Sequence, residues 1–355
     1  MEKVAQYLTQ NEYQVSFFIP DIYENEKIDD KFEVKYYSSR VVRIFSKLNL
    51  LNFAWPFIIL RIKKEDYDIV YVPSIYTVSF IFAYRGKIIL GTHDYYLQNS
   101  FISRDIFLIF PKILIKVLNR CNVFVHAINE VIYEGLKKYT QRIILAEPFP
   151  YNIYDRRQVL EGKKFQVLFM NILNKRKGAH LLPAIITKIN TLGFEDIEFV
   201  ITGRLQGRNK NLNGFLSHLP ENTKYLGFVS EELKEVELSK SSLFLFLSSR
   251  EAAPLSIKEA LSYGIPVVST WKPLSRLIPK DYINKKICVQ TDRRYNLITS
   301  NILEFYYLWE SDKFFYSKFR HDISDLSIKY FDQAKLLDNT LKMFETLISK
   351  VPTEV

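Results

Sequence analysis

Ser248 to Thr270 reads SSREAAPLSIKEALSYGIPVVST. A polar loop runs into a proline, an apolar pattern of helical period, a glycine, and a β-branched run opened by a second proline. Pro254 suits the first turn of a helix, where its missing N–H would have no partner and its φ is preset. Gly264 suits the helix end and Pro266 the entry to the next strand. Loop, helix, turn and strand in this order form the repeating unit of a parallel α/β sheet.

Two glutamates frame the proline. Glu251 lies in the loop, and Glu259 about one and a half turns inside the helix, on the order of 8 Å up its axis. The backbone N–H groups around Ala253, Pro254, Leu255 and Ser256 stand at the positive end of the macrodipole, a place for an anion. A carboxylate is a poor neighbour for a phosphate but a good acceptor for vicinal hydroxyls. The pair therefore suits a ligand with hydroxyls on either side of a phosphate, which describes a nucleotide sugar. Glu259 would take the ribose, the helix start the phosphates, and Glu251 the sugar; Ala252 and Ala253 leave room for close approach.

Outward from this stretch, YQVSFFI, DIVYVP, GKIILGT, NVFVHAI, FQVLFMN, IEFVITG, LFLFLSS and IPVVST read as strands separated by segments of helical period. That alternation predicts parallel sheets covered on both faces. Prolines and charges interrupt it at AEPFPYNIYDRRQVLEGKKF, placing a linker near residues 150–163. Two domains are expected, 1–155 and 156–330, with the amphipathic helix within 331–355 completing the first; its apolar positions are Leu336, Leu337, Leu341, Met343, Phe344 and Leu347.

The 355 residues carry a formal charge of +10, scattered rather than blocked, which favours a local anion site over a nucleic-acid stripe. Cys121 and Cys288 have no zinc spacing, and a reducing, cytoplasmic setting is the simple expectation. The longest apolar run, Leu50 to Leu60, is too short to span a bilayer and contains a proline. Lys112, Lys116 and Arg120 on the apolar pattern of FISRDIFLIFPKILIKVLNR suit core packing with snorkelling stems, or peripheral contact with an anionic membrane on its inner face. Asp66 and Asp68 form an Asp-x-Asp that feeds straight into a strand and reads as a solvated turn, so no metal is expected.

The framed proline, with Gly-x-Pro-Val-Val after it, resembles the signature of retaining glycosyltransferase family 4, the group 1 glycosyltransferases with the GT-B fold. NILNKRKGAHLL, IEFVITG, KYLGFVSEELKEVELSKSSLFLFLSS and, in the first half, DIVYVP with GKIILGTHD follow in the family's order. The resemblance implies two Rossmann-like, doubly wound domains facing a cleft, with the donor on the second and an unidentified glycan, glycolipid or glycoprotein acceptor on the first. Lys177 would balance the diphosphate leaving group, with Gly203 and Arg204 close by, and Phe228 would lie near the base. His93 would reach toward the transferred sugar, no side-chain nucleophile being required. Where the family has an arginine, five residues before the lysine, this chain has Ile172, and Lys175, Arg176 or Arg204 would have to supply the charge. MEKVAQYL resembles the helix that follows the family's first strand and glycine-rich turn, so that strand is expected to be missing ahead of Met1. A catalytically silent nucleotide-binding partner subunit and, on charge and aromatic content alone, a nucleic-acid-binding protein are the alternatives.

Overall fold

The computed structural model describes residues 8–12, 14–20, 33–37, 69–72, 88–91, 123–146, 164–206, 210–251, 253–272, 274, 278–331 and 333–349. The chain divides into two compact units, Met1–Pro148 with Ala334–Val355, and Phe149–Gln333.

In the first unit, β1 (Ser16–Pro20) pairs with β2 (Glu33–Tyr37) in parallel. A second parallel sheet has the order β3 (Val70–Val72), β4 (Ile88–Gly91), β5 (Val123–Ala127) and β6 (Ile143–Leu145). Helix α1 (Glu130–Leu136) follows β5 because Asn129 caps it, its Oδ1 accepting from the Ile132 N–H at 2.9 Å. The buried His126 ring is held at both nitrogens: Nε2 donates to the Ala146 carbonyl at 2.7 Å, and Nδ1 accepts from the Tyr71 hydroxyl at 2.9 Å. Burial pushes its pKa below the ordinary histidine value, so it serves as a neutral tie between strands.

The second unit is built on β7 (Gln166–Met170), β8 (Glu198–Thr202), β9 (Thr223–Gly227), β10 (Leu243–Phe246), β11 (Val267–Ser269) and β12 (Cys288–Gln290). All six are parallel, in the order β12-β11-β10-β7-β8-β9. Alternate residues feed two cores. Val167, Phe169, Phe199, Ile201, Leu243 and Leu245 pack with α2 (Leu182–Thr191) and α7 (Tyr295–Ser311). Leu168, Val200, Phe244, Phe246 and Val267 pack with α5 (Leu255–Ser262) and its neighbours. Burial on both faces is why these strands read as continuous apolar runs.

Chain order reverses between β7 and β10: the sheet grows outward to β9 on one side and to β12 on the other. The connections leaving β7 and β10 therefore turn to opposite faces, opening a crevice beyond their carboxyl ends. Helices α3 (Lys210–Ser217), α4 (Glu231–Lys240) and α6 (Lys280–Asn284) complete the connections, and α8 (Lys313–Tyr330) packs on α5. The last helix, α9 (Gln333–Ser349), belongs to the first unit, where Leu341, Met343 and Phe344 pack with Leu8, Ile89 and Ala146.

The strands unmarked in the sequence are β2, β6, β9 and β12. Three of these close the ends of the larger sheets, and β2 has β1 as its only strand partner among the described residues. A strand with one neighbour has less apolar surface to hide, and sequences such as TKYLG and CVQ carry a correspondingly weak pattern. Among the described residues no helix is long and apolar enough to cross a membrane. His93, Asp66 and Asp68, and the segment bearing Lys112, Lys116 and Arg120 lie outside the described residues.

Candidate functional site

The predicted donor residues of the second unit lie on the loops that leave β7, β8, β9 and β10 and within α5, which follows β10. Asn174 builds the first loop: its Oδ1 accepts from the Lys177 N–H at 2.8 Å, and its Nδ2 donates to Gln206 Oε1 at 3.0 Å. The turn ends at Gly178, with φ +82, where a Cβ would meet the Leu247 carbonyl oxygen at 2.2 Å. Only glycine lets this turn press against the end of β10.

The same loop is tied on both sides. Toward β8, the Leu173 N–H donates to the Arg204 carbonyl at 2.9 Å and the Gln206 N–H to the Leu173 carbonyl at 3.1 Å. Gly203, at φ +125, allows this approach, since a Cβ there would lie 1.9 Å from the Asn171 oxygen. Toward β10, the Ser249 N–H and Oγ both donate to the Arg176 carbonyl, at 3.0 and 3.1 Å.

This lacing brings Lys177 to Glu251. Lys177 Nζ lies 2.5 Å from Glu251 Oε1, both side chains being 13% exposed. The Ser248 hydroxyl donates to the same oxygen, and Arg176 stands 3.6 Å away while donating to the Arg250 carbonyl at 3.0 Å. Burial draws the Lys177 ammonium below its ordinary pKa, against the pull of Glu251, and the Arg176 charge acts in the same direction as burial. Two cations thus converge on one carboxylate.

Helix α5 begins at Leu255, with Pro254 as its N-cap residue rather than its first helical residue. The Leu255 N–H closes back on the Ala253 carbonyl at 3.0 Å and the Ile257 N–H on Pro254 at 3.1 Å. The expected open set of donors is therefore smaller: proline has none, Leu255 and Ile257 have used their own, and the Ser256 N–H closes on no described residue. Glu259, 9% exposed at its side chain, is met by Lys234 from α4 at 3.4 Å. Phe228, beyond β9, is 69% exposed, and the Arg204 guanidinium stacks 4.4 Å from its ring centre. The exposed Ile172 brings no charge to the position where an arginine was expected.

Lys177, Glu251, Gly203, Arg204, Phe228, Ala253, Pro254, Leu255, Ser256 and Glu259 thus all occupy the carboxyl-end rim of one sheet. Sequence reasoning missed Lys234, Asn174 and Ser248. Asn174 carries a local signal, an asparagine three residues before a lysine–glycine turn. The partners of Lys234 and Ser248 depend on folded contacts that no spacing rule displays.

Residues 152–302 match the family described as Glycosyl transferases group 1. None of the curated proteins matches the chain in sequence. Among solved structures, sucrose-phosphate synthase of Thermosynechococcus elongatus is similar at TM-score 0.73 and 13% identity, over 98% of this chain and 92% of that one. HepE of Anabaena, solved with UDP and glucose, is similar at TM-score 0.65 and 14% identity, over 98% and 94%. A mutant of S. aureus TarM, solved with fondaparinux, alpha-GlcNAc-glycerol and UDP, is similar at TM-score 0.64 and 17% identity, over 82% of this chain and 58% of that one. The fold is the GT-B fold of glycosyltransferases. The group 1 match falls on the second unit, the one that carries these residues.

Proposed function

We infer that the protein transfers a sugar from a nucleotide diphosphate sugar, held by the second unit, to an acceptor taken by the first, with retention at the anomeric carbon. The observation that carries this is the convergence of Lys177 and Glu251 at the switch point, with Glu259 further along α5. Lys177 neutralises the diphosphate as it leaves, the start of α5 receives a phosphate oxygen, and Glu259 accepts from the ribose. Arg176 is the best placed substitute for the charge absent at Ile172, because Arg204 is stacked on Phe228 while Arg176 already shares the carboxylate with Lys177.

Glu251 keeps the Ser248 hydroxyl as a partner when the donor draws Lys177 away and is assigned to the sugar hydroxyls, so no side chain is assigned to attack the anomeric carbon. That supports displacement on one face: the bond from the anomeric carbon to the phosphate oxygen breaks, the acceptor oxygen bonds to that carbon from the same side, and the leaving phosphate takes the acceptor proton. His93 is assigned to orient a sugar hydroxyl. In this scheme charge on the leaving group is met by side chains, without a metal ion. A cytoplasmic setting belongs to the same reading, supported by two cysteines without metal spacing, of which the buried Cys288 is a free thiol.

The test is turnover of UDP-, GDP- and ADP-hexoses, followed by release of nucleoside diphosphate and by the NMR coupling of the anomeric proton in the product. Release from donors of one base, with the donor's anomeric configuration kept, is expected. Inversion would remove the same-face step. Nucleotide binding without release would select a silent partner subunit instead.

A further inference from the structure

Lys234 lies in the second turn of α4, four residues after the Ser230 cap, whose hydroxyl accepts from the Leu233 N–H at 3.3 Å. A lysine on a charged helix face ordinarily extends into water. This one keeps 13% exposure and sits between two carboxylates, 2.5 Å from Glu231 and 3.4 Å from Glu259. Glu231, three residues earlier on the same helix and 54% exposed, forms a local surface pair. Glu259 belongs to another helix and has a 9% exposed side chain. Burial opposes the Lys234 charge, but Glu259 and Glu231 outweigh it and hold the ammonium above its ordinary pKa.

The contact fixes one carboxylate oxygen. Lys234 Nζ meets Oε1 of Glu259; among the described residues Oε2 accepts no hydrogen bond, and it is not sealed from solvent. An ammonium has three donors, and two are committed here to carboxylates. An oriented acceptor, Oε2, therefore stands beside a remaining donor, Nζ–H. A vicinal diol complements that pair, one hydroxyl donating to Oε2 while its neighbour accepts from Nζ. A single hydroxyl leaves one of the two unmatched, at the cost of an unpaired polar group.

We propose that Lys234 is a specificity-determining residue of the donor site, fixing Glu259 and contacting the second ribose hydroxyl so that the site selects ribonucleotides over deoxyribonucleotides. The proposal rests on Glu259 as the ribose acceptor. Lys234 would then set the sugar of the nucleotide without touching the reacting atoms.

Calorimetric titration of the full chain with UDP, GDP and ADP, each beside its 2′,3′-dideoxy counterpart, tests it. In Lys234→Met, affinity for the ribonucleotide is expected to fall about tenfold and for the dideoxy form by less than about twofold. Lys234→Arg, which keeps charge and donors, retains most of the preference. The dideoxy affinity doubles as the control for folding. Equal losses for both ligands, or no loss, while Glu259→Gln abolishes the preference, would overturn the role of Lys234 and leave Glu259 in place. If Glu259→Gln itself leaves the preference intact, the ribose assignment fails and this proposal with it.

Discussion

Lys177→Ala lowers donor turnover by about 10² to 10³-fold, the usual cost of removing one charge-stabilising group from a transition state. Charge accumulates on the diphosphate as the sugar bond breaks, so an ammonium there gains more in the transition state than in the bound donor, and kcat falls more than KM rises. Lys177 is held in place by Asn174 and by the glycine turn, with its charge paired to Glu251. In the proposed scheme the donor phosphate takes the place of the carboxylate as its partner. Steady-state release of nucleoside diphosphate measures the effect. A loss of less than about threefold would detach Lys177 from the leaving group, since a charge in contact with that group contributes far more.

Arg320→Ala destabilises the second unit by about 3–5 kcal/mol, a large share of the stability of an ordinary domain. Arg320 is 3% exposed on α8. Its Nε donates to the Gly264 carbonyl at 3.3 Å, and one terminal nitrogen donates to Tyr263 at 3.2 Å and Ser239 at 3.3 Å. Those carbonyls end α5 and α4, where the macrodipoles are negative and the last acceptors lack partners within their helices. One guanidinium thus satisfies the ends of the two helices that carry Glu259 and Lys234. Alanine leaves the carbonyls buried and opens a void. Thermal unfolding would show a drop of about 10 °C for a unit of this size. A shift of under about 2 °C would mean that water replaces the guanidinium at no cost.

The central sheet was legible because strands buried on both faces must be apolar throughout, as FQVLFMN and LFLFLSS are. Its edge strands were not, since a single neighbour relaxes that demand. The framed proline revealed α5 and the strand after it, but the N-cap position of Pro254 and the closure of Leu255 on Ala253 are features of folded backbone that composition does not encode. Lys177 and Glu251 are 74 positions apart, and their contact follows only once β7 and β10 are adjacent. Lys234 shows the same limit more strongly: in SEELKEVELSK it is one charge among several, and its contact with Glu259 follows only from the folded packing.

A crystal structure of the chain with bound UDP, or with GDP or ADP if those bind more tightly, tests the central claim most directly. The phosphates are expected beside Lys177 and the Ser256 N–H, beyond the ends of β7 and β10, with the ribose hydroxyls on Glu259. A nucleotide seated elsewhere, with the Lys177–Glu251 pair unbroken, would contradict the assignment of this rim as the donor site.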